Sequence, residues 1–164
     1  AFFWDRLRDH RPIILAGDGR RLMQFVYIKD LVECCMKSHE DPAAVGQAFN
    51  IANARPIAQF DLVHLLADVA GKPLSLVRIP RQRILQLGGQ VMGPRLYFGS
   101  YYDVPAITEV ITKAQRVLKF KPTDFVEGLK ETYKWYLRHH HKDSSNYEFE
   151  DKLIAMAPPH LPED

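Results

Sequence analysis

The chain has 164 residues, 46% apolar and 26% charged, with a formal net charge of +2. That length and balance fit one ordinary globular unit with a real core. The interspersed acids and bases give no electrostatic reason to expect nucleic acid or an anionic membrane as partner. No apolar run approaches the roughly 20 residues that span a bilayer, and the apolar opening over residues 1–4 is too short for a signal-peptide core. Cys34 and Cys35 are adjacent, a poor geometry for a mutual disulfide, and read as reduced thiols of a cytoplasmic protein. The chain starts on Ala1 and is amphipathic almost at once, which predicts a fragment or a processed chain.

Phe3 and Leu7, four apart among charges, predict the end of a helix over residues 2–9. Ile13–Leu15 is a short strand stopped by the turn Gly17-Asp18-Gly19. Met23–Ile28, rich in β-branched and aromatic residues, predicts a second strand. Asp30 is placed to cap the helix that follows, with Leu31, Cys34, Cys35 and Val32 inward and a stop near His39 to Pro42. Gly46 opens a strand through residues 48–52. Leu62, Leu65, Leu66 and Val69 then recur at helical spacing, with Gly71 and Pro73 as stop signals.

Residues 74–79 alternate like a strand and stop at Pro80. A helix fraying at its glycines is expected over 81–99, overlapping an aromatic loop from Tyr97 to Pro105. A short helix follows Thr112. The last helix starts at Asp124, with Glu127 at capping-box spacing, and buries Val126, Leu129, Tyr133 and either Tyr136 or Leu137. After His141 the chain turns polar and then proline-rich, which predicts a loosely held tail. Strands alternating with helices argue for an α/β fold.

Three stretches in order, "GDGRRLMQFVYIKDLVECC", "GQAFNIAN" and "TKAQRVLKFKPTDFVEGLKETYKWY", resemble the C-terminal part of extended short-chain dehydrogenases, the NAD-dependent epimerase/dehydratase family. The resemblance implies a C-terminal portion of a Rossmann-like enzyme, with mixed short strands and helices and the N-terminal Rossmann half absent. Residues 1–142 would form the substrate-binding part, 143–164 a polar and proline-rich tail. The 48–52 strand and the helix over 58–70 would complete the Rossmann sheet. The parent would bind NAD or NADP through a glycine-rich phosphate loop and use a Tyr-x-x-x-Lys pair for proton transfer. Neither G-x-x-G-x-x-G nor Tyr-x-x-x-Lys occurs here, so no catalytic residue is assigned. This chain alone is expected neither to bind the cofactor tightly nor to run the hydride chemistry.

Within the match, the family's Arg-Asp pair before the Phe-Val-Tyr strand is replaced by Met23 and Gln24. The Arg there contacts a substrate diphosphate, a charge-assisted pairing that Met cannot supply. Arg20 and Arg21, two residues earlier, are candidate replacements if the strand register holds. Outlying members that carry Gln act on other substrates or bind RNA. Lys119 stands where the family has a Gly at a left-handed helix cap.

The candidate substrate-binding residues are therefore Arg20, Arg21, Gln24, Arg78 and Arg81. A solvated turn competes for the first two, a structural hydrogen bond for Gln24, and a plain surface role for the last two. Asp30 reads as a helix cap rather than a base, Asn50 as a structural amide, Tyr27 as half-buried core and His64 as a locally satisfied histidine. The run from Arg138 to Lys142 is better explained as a cationic helix end than as a metal site. The best substrate class is a nucleotide sugar. Alternatives are a hydroxysteroid-dehydrogenase-like or other alcohol/ketone reductase, with residues 84–98 lining a greasy pocket, and a non-catalytic ligand- or RNA-binding module. Any edge left open is expected to meet the missing Rossmann half or a second copy.

Overall fold

The computed structural model describes residues 2–89, 106–140 and 147–156. They form an α/β arrangement: α1 (Phe2–Arg8), β1 (Ile13–Ala16), β2 (Leu22–Met23), α2 (Ile28–Glu40), β3 (Ile57–Ala58), α3 (Gln59–Ala70), β4 (Leu76–Ile79), α4 (Arg81–Gln86), α5 (Thr112–Val117), α6 (Phe125–His139) and α7 (Glu148–Ala155). The expected loop from Tyr97 to Pro105, and most of the 84–98 stretch, lie outside the described residues.

β1 and β4 run parallel, Ile13 beside Leu76 through Ala16 beside Ile79. Their period of two splits the core in two. Ile13 and Leu15 face a cluster with Trp4, Leu62, Val63, Leu66, Ala67 and Tyr136. Ile14 and Ile79 face another with Ile84, Phe149 and Leu153. Gln59, fully buried, donates its side-chain amide to the Ile14 carbonyl at 3.3 Å, which anchors α3 on the strand. β2 and β3 pair antiparallel.

The glycine turn after β1 has a steric cause. Gly17 and Gly19 both sit at positive φ, and a Cβ on Gly19 would lie 3.3 Å from a Leu15 methyl. Gly71 caps α3 in the left-handed conformation, as its position after the apolar repeat predicts. Asp124 caps α6, accepting from the N–H groups of Val126 and Glu127 at 3.0 and 3.2 Å. The Glu127 carboxylate pairs with Lys130 at 2.7 Å.

Several expectations are corrected by the fold. The strand over residues 23–28 stops at Met23, because Ile28 already begins α2. Tyr27 is the residue before that helix, so Asp30 lies inside its first turn. There its buried carboxylate accepts from the N–H and hydroxyl of Thr123, at 2.8 and 2.6 Å. Cys34 is buried but Cys35 is exposed, and both are free thiols. Burial raises the Cys34 pKa. Val32 joins Ile28 and Met36 in an exposed stripe on α2, at 54%, 62% and 55%. Residues 48–52 make no strand pairing among the described residues, while α3 packs on α1, α6 and β1. The predicted tail contains α7, which buries Phe149 and Leu153.

α7 is held to α1 by aromatic and charged contacts. The buried Arg6 guanidinium lies 4.9 Å from the Tyr147 ring centroid, and Tyr147 donates its hydroxyl to Asp9 at 2.9 Å. α1 is also latched to the end of α6. Tyr136 donates to the buried Asp5 carboxylate at 2.6 Å, and His140 lies 3.1 Å from the same group. Burial, with the Asp5 hydrogen bond adding to it, pushes the Tyr136 hydroxyl up to about 12. A third cluster gathers Cys34, Ala44, Ala52, Ile111, Ala114, Leu118 and Phe120 around α2 and α5.

Two outcomes follow for stability. Lys119 sits at φ +54°, a conformation costing a side chain roughly 1 kcal/mol. Lys119→Gly should therefore raise urea-unfolding stability by about 0.5–1 kcal/mol, after allowance for the greater freedom of an unfolded Gly. A loss would show that the Lys119 contact with the Arg116 carbonyl, at 2.9 Å, outweighs the strain. The folded Tyr136 holds its proton longer than the unfolded one. Its contribution is therefore intact below pH ~10 and disappears as pH rises through ~12. Between about pH 9 and 11.5, the wild type should lose about 1–3 kcal/mol more than Tyr136→Phe. Equal losses would contradict the latch.

Candidate functional site

In a parallel pair both strands point the same way, so the segments leaving their C-terminal ends emerge at one edge. β1 runs into the turn carrying Arg20 and Arg21, and β4 runs into Pro80 and Arg81. The Gly17 N–H donates to the Ile79 carbonyl at 2.9 Å, which pins the two exits together. The turn is fixed from both sides. The Arg20 N–H donates to Asp18 Oδ1 at 3.0 Å, and the Phe60 N–H donates to the Gly19 carbonyl at 2.9 Å. Arg20, Arg78 and Arg81 are exposed, and Arg21 is half-buried. Arg78 stands opposite Leu15, one residue before the exit. The segments that carry Arg20, Arg21 and Arg81 thus leave from one strand end, with Arg78 one residue before it.

Gln24 does something else. Its amide nitrogen donates to the Asn53 carbonyl and its oxygen accepts from the Glu109 N–H, both at 2.6 Å. Beside it the Asn53 N–H donates to the Phe25 carbonyl at 2.6 Å. One side chain therefore ties the segment after β2 to two distant backbone segments. Its two amide groups satisfy polar groups that would otherwise be stranded. Asn50 is exposed, and its amide reaches the Val110 carbonyl at 3.5 Å. His64 is satisfied by the Phe60 carbonyl at 2.8 Å.

Sequence reasoning missed a pocket of about 360 Å³ between α1, α3, α6 and the segment from Met23 to Ile28. Its walls are mainly apolar, with Trp4, Phe25, Leu66 and Phe125 among them. Tyr27 lies against Gly128, where an added Cβ would come 3.5 Å from the ring. The residues come from distant parts of the chain, so no local pattern announced them.

Among the described residues the starts of the two long helices after the strands do not fit a dinucleotide phosphate. Such a cradle needs bare backbone N–H groups on a glycine-rich helix start. α2 begins Ile28-Lys29-Asp30 and α3 begins Gln59-Phe60-Asp61, so no hydride step is assigned to this chain. Among the described residues no group of three or more His, Cys, Asp or Glu side chains could hold a metal ion. No helix there is long and apolar enough to cross a membrane.

Gln24→Leu keeps the volume and removes both ties. It should cost about 2–4 kcal/mol of unfolding free energy, since the Asn53 carbonyl and Glu109 N–H both lose a partner. A cost below about 0.5 kcal/mol in urea titration would show that water replaces both bonds at no net loss.

Residues 3–52 match the family model described as the NAD dependent epimerase/dehydratase family. Mouse (Mus musculus) short-chain dehydrogenase/reductase family 42E member 1 is 26% identical over 144 residues, covering 76% of this chain and 36% of that protein. The dTDP-4-dehydro-6-deoxy-D-allose reductase of Streptomyces bikiniensis is 27% identical over 124 residues, covering 76% and 32%. UDP-glucuronic acid 4-epimerase from Bacillus cereus, solved with UDP-glucuronic acid and NAD, shares the fold with a TM-score of 0.61 at 20% identity, covering 81% and 37%. The chain spans about a third of the length of the relatives it matches. Its fold is that of the C-terminal region of Rossmann-like epimerase/dehydratase structures, and its first third carries the sequence likeness to that family.

Proposed function

We propose that this chain supplies the substrate-binding portion of an NAD(P)-dependent epimerase/dehydratase-like oxidoreductase acting on a secondary alcohol of a nucleotide sugar. The observation that carries the reading is the shared exit of β1 and β4, which places two basic segments at one strand end. A nucleoside diphosphate sugar needs cationic, forked donors for its diphosphate. Arg20 and Arg21 on one segment, with Arg81 on the other, are assigned that role. Arg78 borders the same edge. Met23 occupies the family's Arg position, so the charge comes from the turn instead.

Gln24 has a positioning part in this reading, holding the strand that follows the turn. The hydride chemistry belongs to a dinucleotide-binding half. We assign the apolar stripe of Ile28, Val32 and Met36 on α2 as the face that this half covers. The similarity to a dTDP-sugar reductase supports the substrate class.

Calorimetric titration with UDP-glucose tests the reading. Arg20→Ala, Arg21→Ala and Arg81→Ala should each weaken binding by about tenfold or more, the loss of one charge-assisted contact. Arg116→Ala, on the exposed face of α5, should leave binding unchanged. Binding indifferent to all three edge arginines, or no binding at all, would overturn the assignment.

A further inference from the structure

We propose that the pocket between α1, α3 and α6 is a binding site for a small uncharged ring compound whose edge carries a paired hydrogen-bond donor and acceptor, received by the side-chain amide of Asn53. The inference is independent of the diphosphate reading, because it uses none of the edge arginines.

Most polar side chains of the pocket already have partners within the fold. Thr123 donates its hydroxyl to Asp30 and Thr132 donates its hydroxyl to the Gly128 carbonyl, at 2.6 and 2.7 Å. The Asp124 carboxylate caps α6. Asn53 differs. It lines the pocket and is only 6% exposed, yet its hydrogen bonds are made by its backbone N–H and carbonyl. Its side-chain amide has no hydrogen-bond partner among the described residues, and neither amide atom is fully sealed from solvent. With no protein partner, the amide has only pocket water to bond, so a ligand that presents the complementary pair can replace that water and take both bonds.

The rest of the wall sets the ligand's body. The aromatic rings of Trp4, Phe25 and Phe125, with Leu66, offer flat apolar surface. A volume of about 360 Å³ lies at the lower end of small-molecule sites. An amide offers one donor and one acceptor side by side, and a lactam presents the complementary pair on an apolar ring. Among the described lining residues the one charged side chain is Asp124, which is exposed and caps α6 through its Oδ1; the rest of the wall is neutral, which argues for an uncharged compound.

The test uses Trp4 as reporter. The chain has two tryptophans, and Trp135 is 58% exposed, so Trp135→Phe leaves only the pocket indole. The probes are 2-quinolone, a bicycle with a lactam edge, and naphthalene, a bicycle of similar size without one. In Trp135→Phe both should quench Trp4 saturably. Adding Asn53→Ala should weaken 2-quinolone by about tenfold and naphthalene by less than about twofold. The backbone bonds of Asn53 do not involve its side chain, so naphthalene binding also reports an intact pocket. The proposal is overturned if 2-quinolone gives no saturable change, or if Asn53→Ala affects both probes alike. It is also overturned if Trp4 emission shifts with protein concentration alone, which would give the pocket to a second copy.

Discussion

The parallel pairing of β1 with β4 is the constraint on which the other assignments rest. The two strands are four residues each and far apart in sequence, yet their alternation faces two core clusters at once. Because they point the same way, the glycine turn and the Pro80 corner leave from one end. Were the pair antiparallel, Arg20 and Arg81 would stand at opposite ends. The basic edge is therefore a consequence of topology before it is one of side-chain chemistry.

A second constraint joins this part to the rest. The cluster around Cys34, Ala114 and Phe120 shares no buried member with the clusters on β1 and β4. Polar ties cross between the segments: Gln24 to Asn53 and Glu109, and Asp30 to Thr123. Short bonds to backbone groups suit this task, because direction and register are fixed where apolar contact alone would let segments slide. The pocket opens beside these ties, with Asn53 taking part in both.

Much of the fold was legible in the sequence. The β1 strand, the glycine turn, the α3 repeat with Gly71 behind it, and the Asp124 cap each rest on local chemistry, and each is found. The first two of the three ordered motifs lie within or at the edge of residues 3–52, which match the epimerase/dehydratase family model. What local chemistry left open was tertiary in origin. Asp30 looked like a cap because its type and place fit one, but its carboxylate is taken by Thr123, 93 residues away. α7 hid in a polar tail because its partners Arg6 and Asp9 lie on α1. Lys119 is a misfit at a left-handed position, and the chain adopts that conformation anyway. Of the candidate site residues, the turn pair was suggested by the motif, whereas its alignment with Arg81 needed the strand pairing. Asn53 carried no signal, since a buried unpartnered amide is visible only once the surrounding segments are in place.

We propose that a nucleotide sugar is held at the shared exit of β1 and β4. The most direct measurement is backbone amide shift mapping of the ¹⁵N-labelled chain during addition of UDP-glucose. Saturable shifts should concentrate on residues 17–21 and 81–83, with α5 and the C-terminal end of α6 unmoved. Shifts confined to another surface, or none as the sugar nucleotide is added, would contradict it.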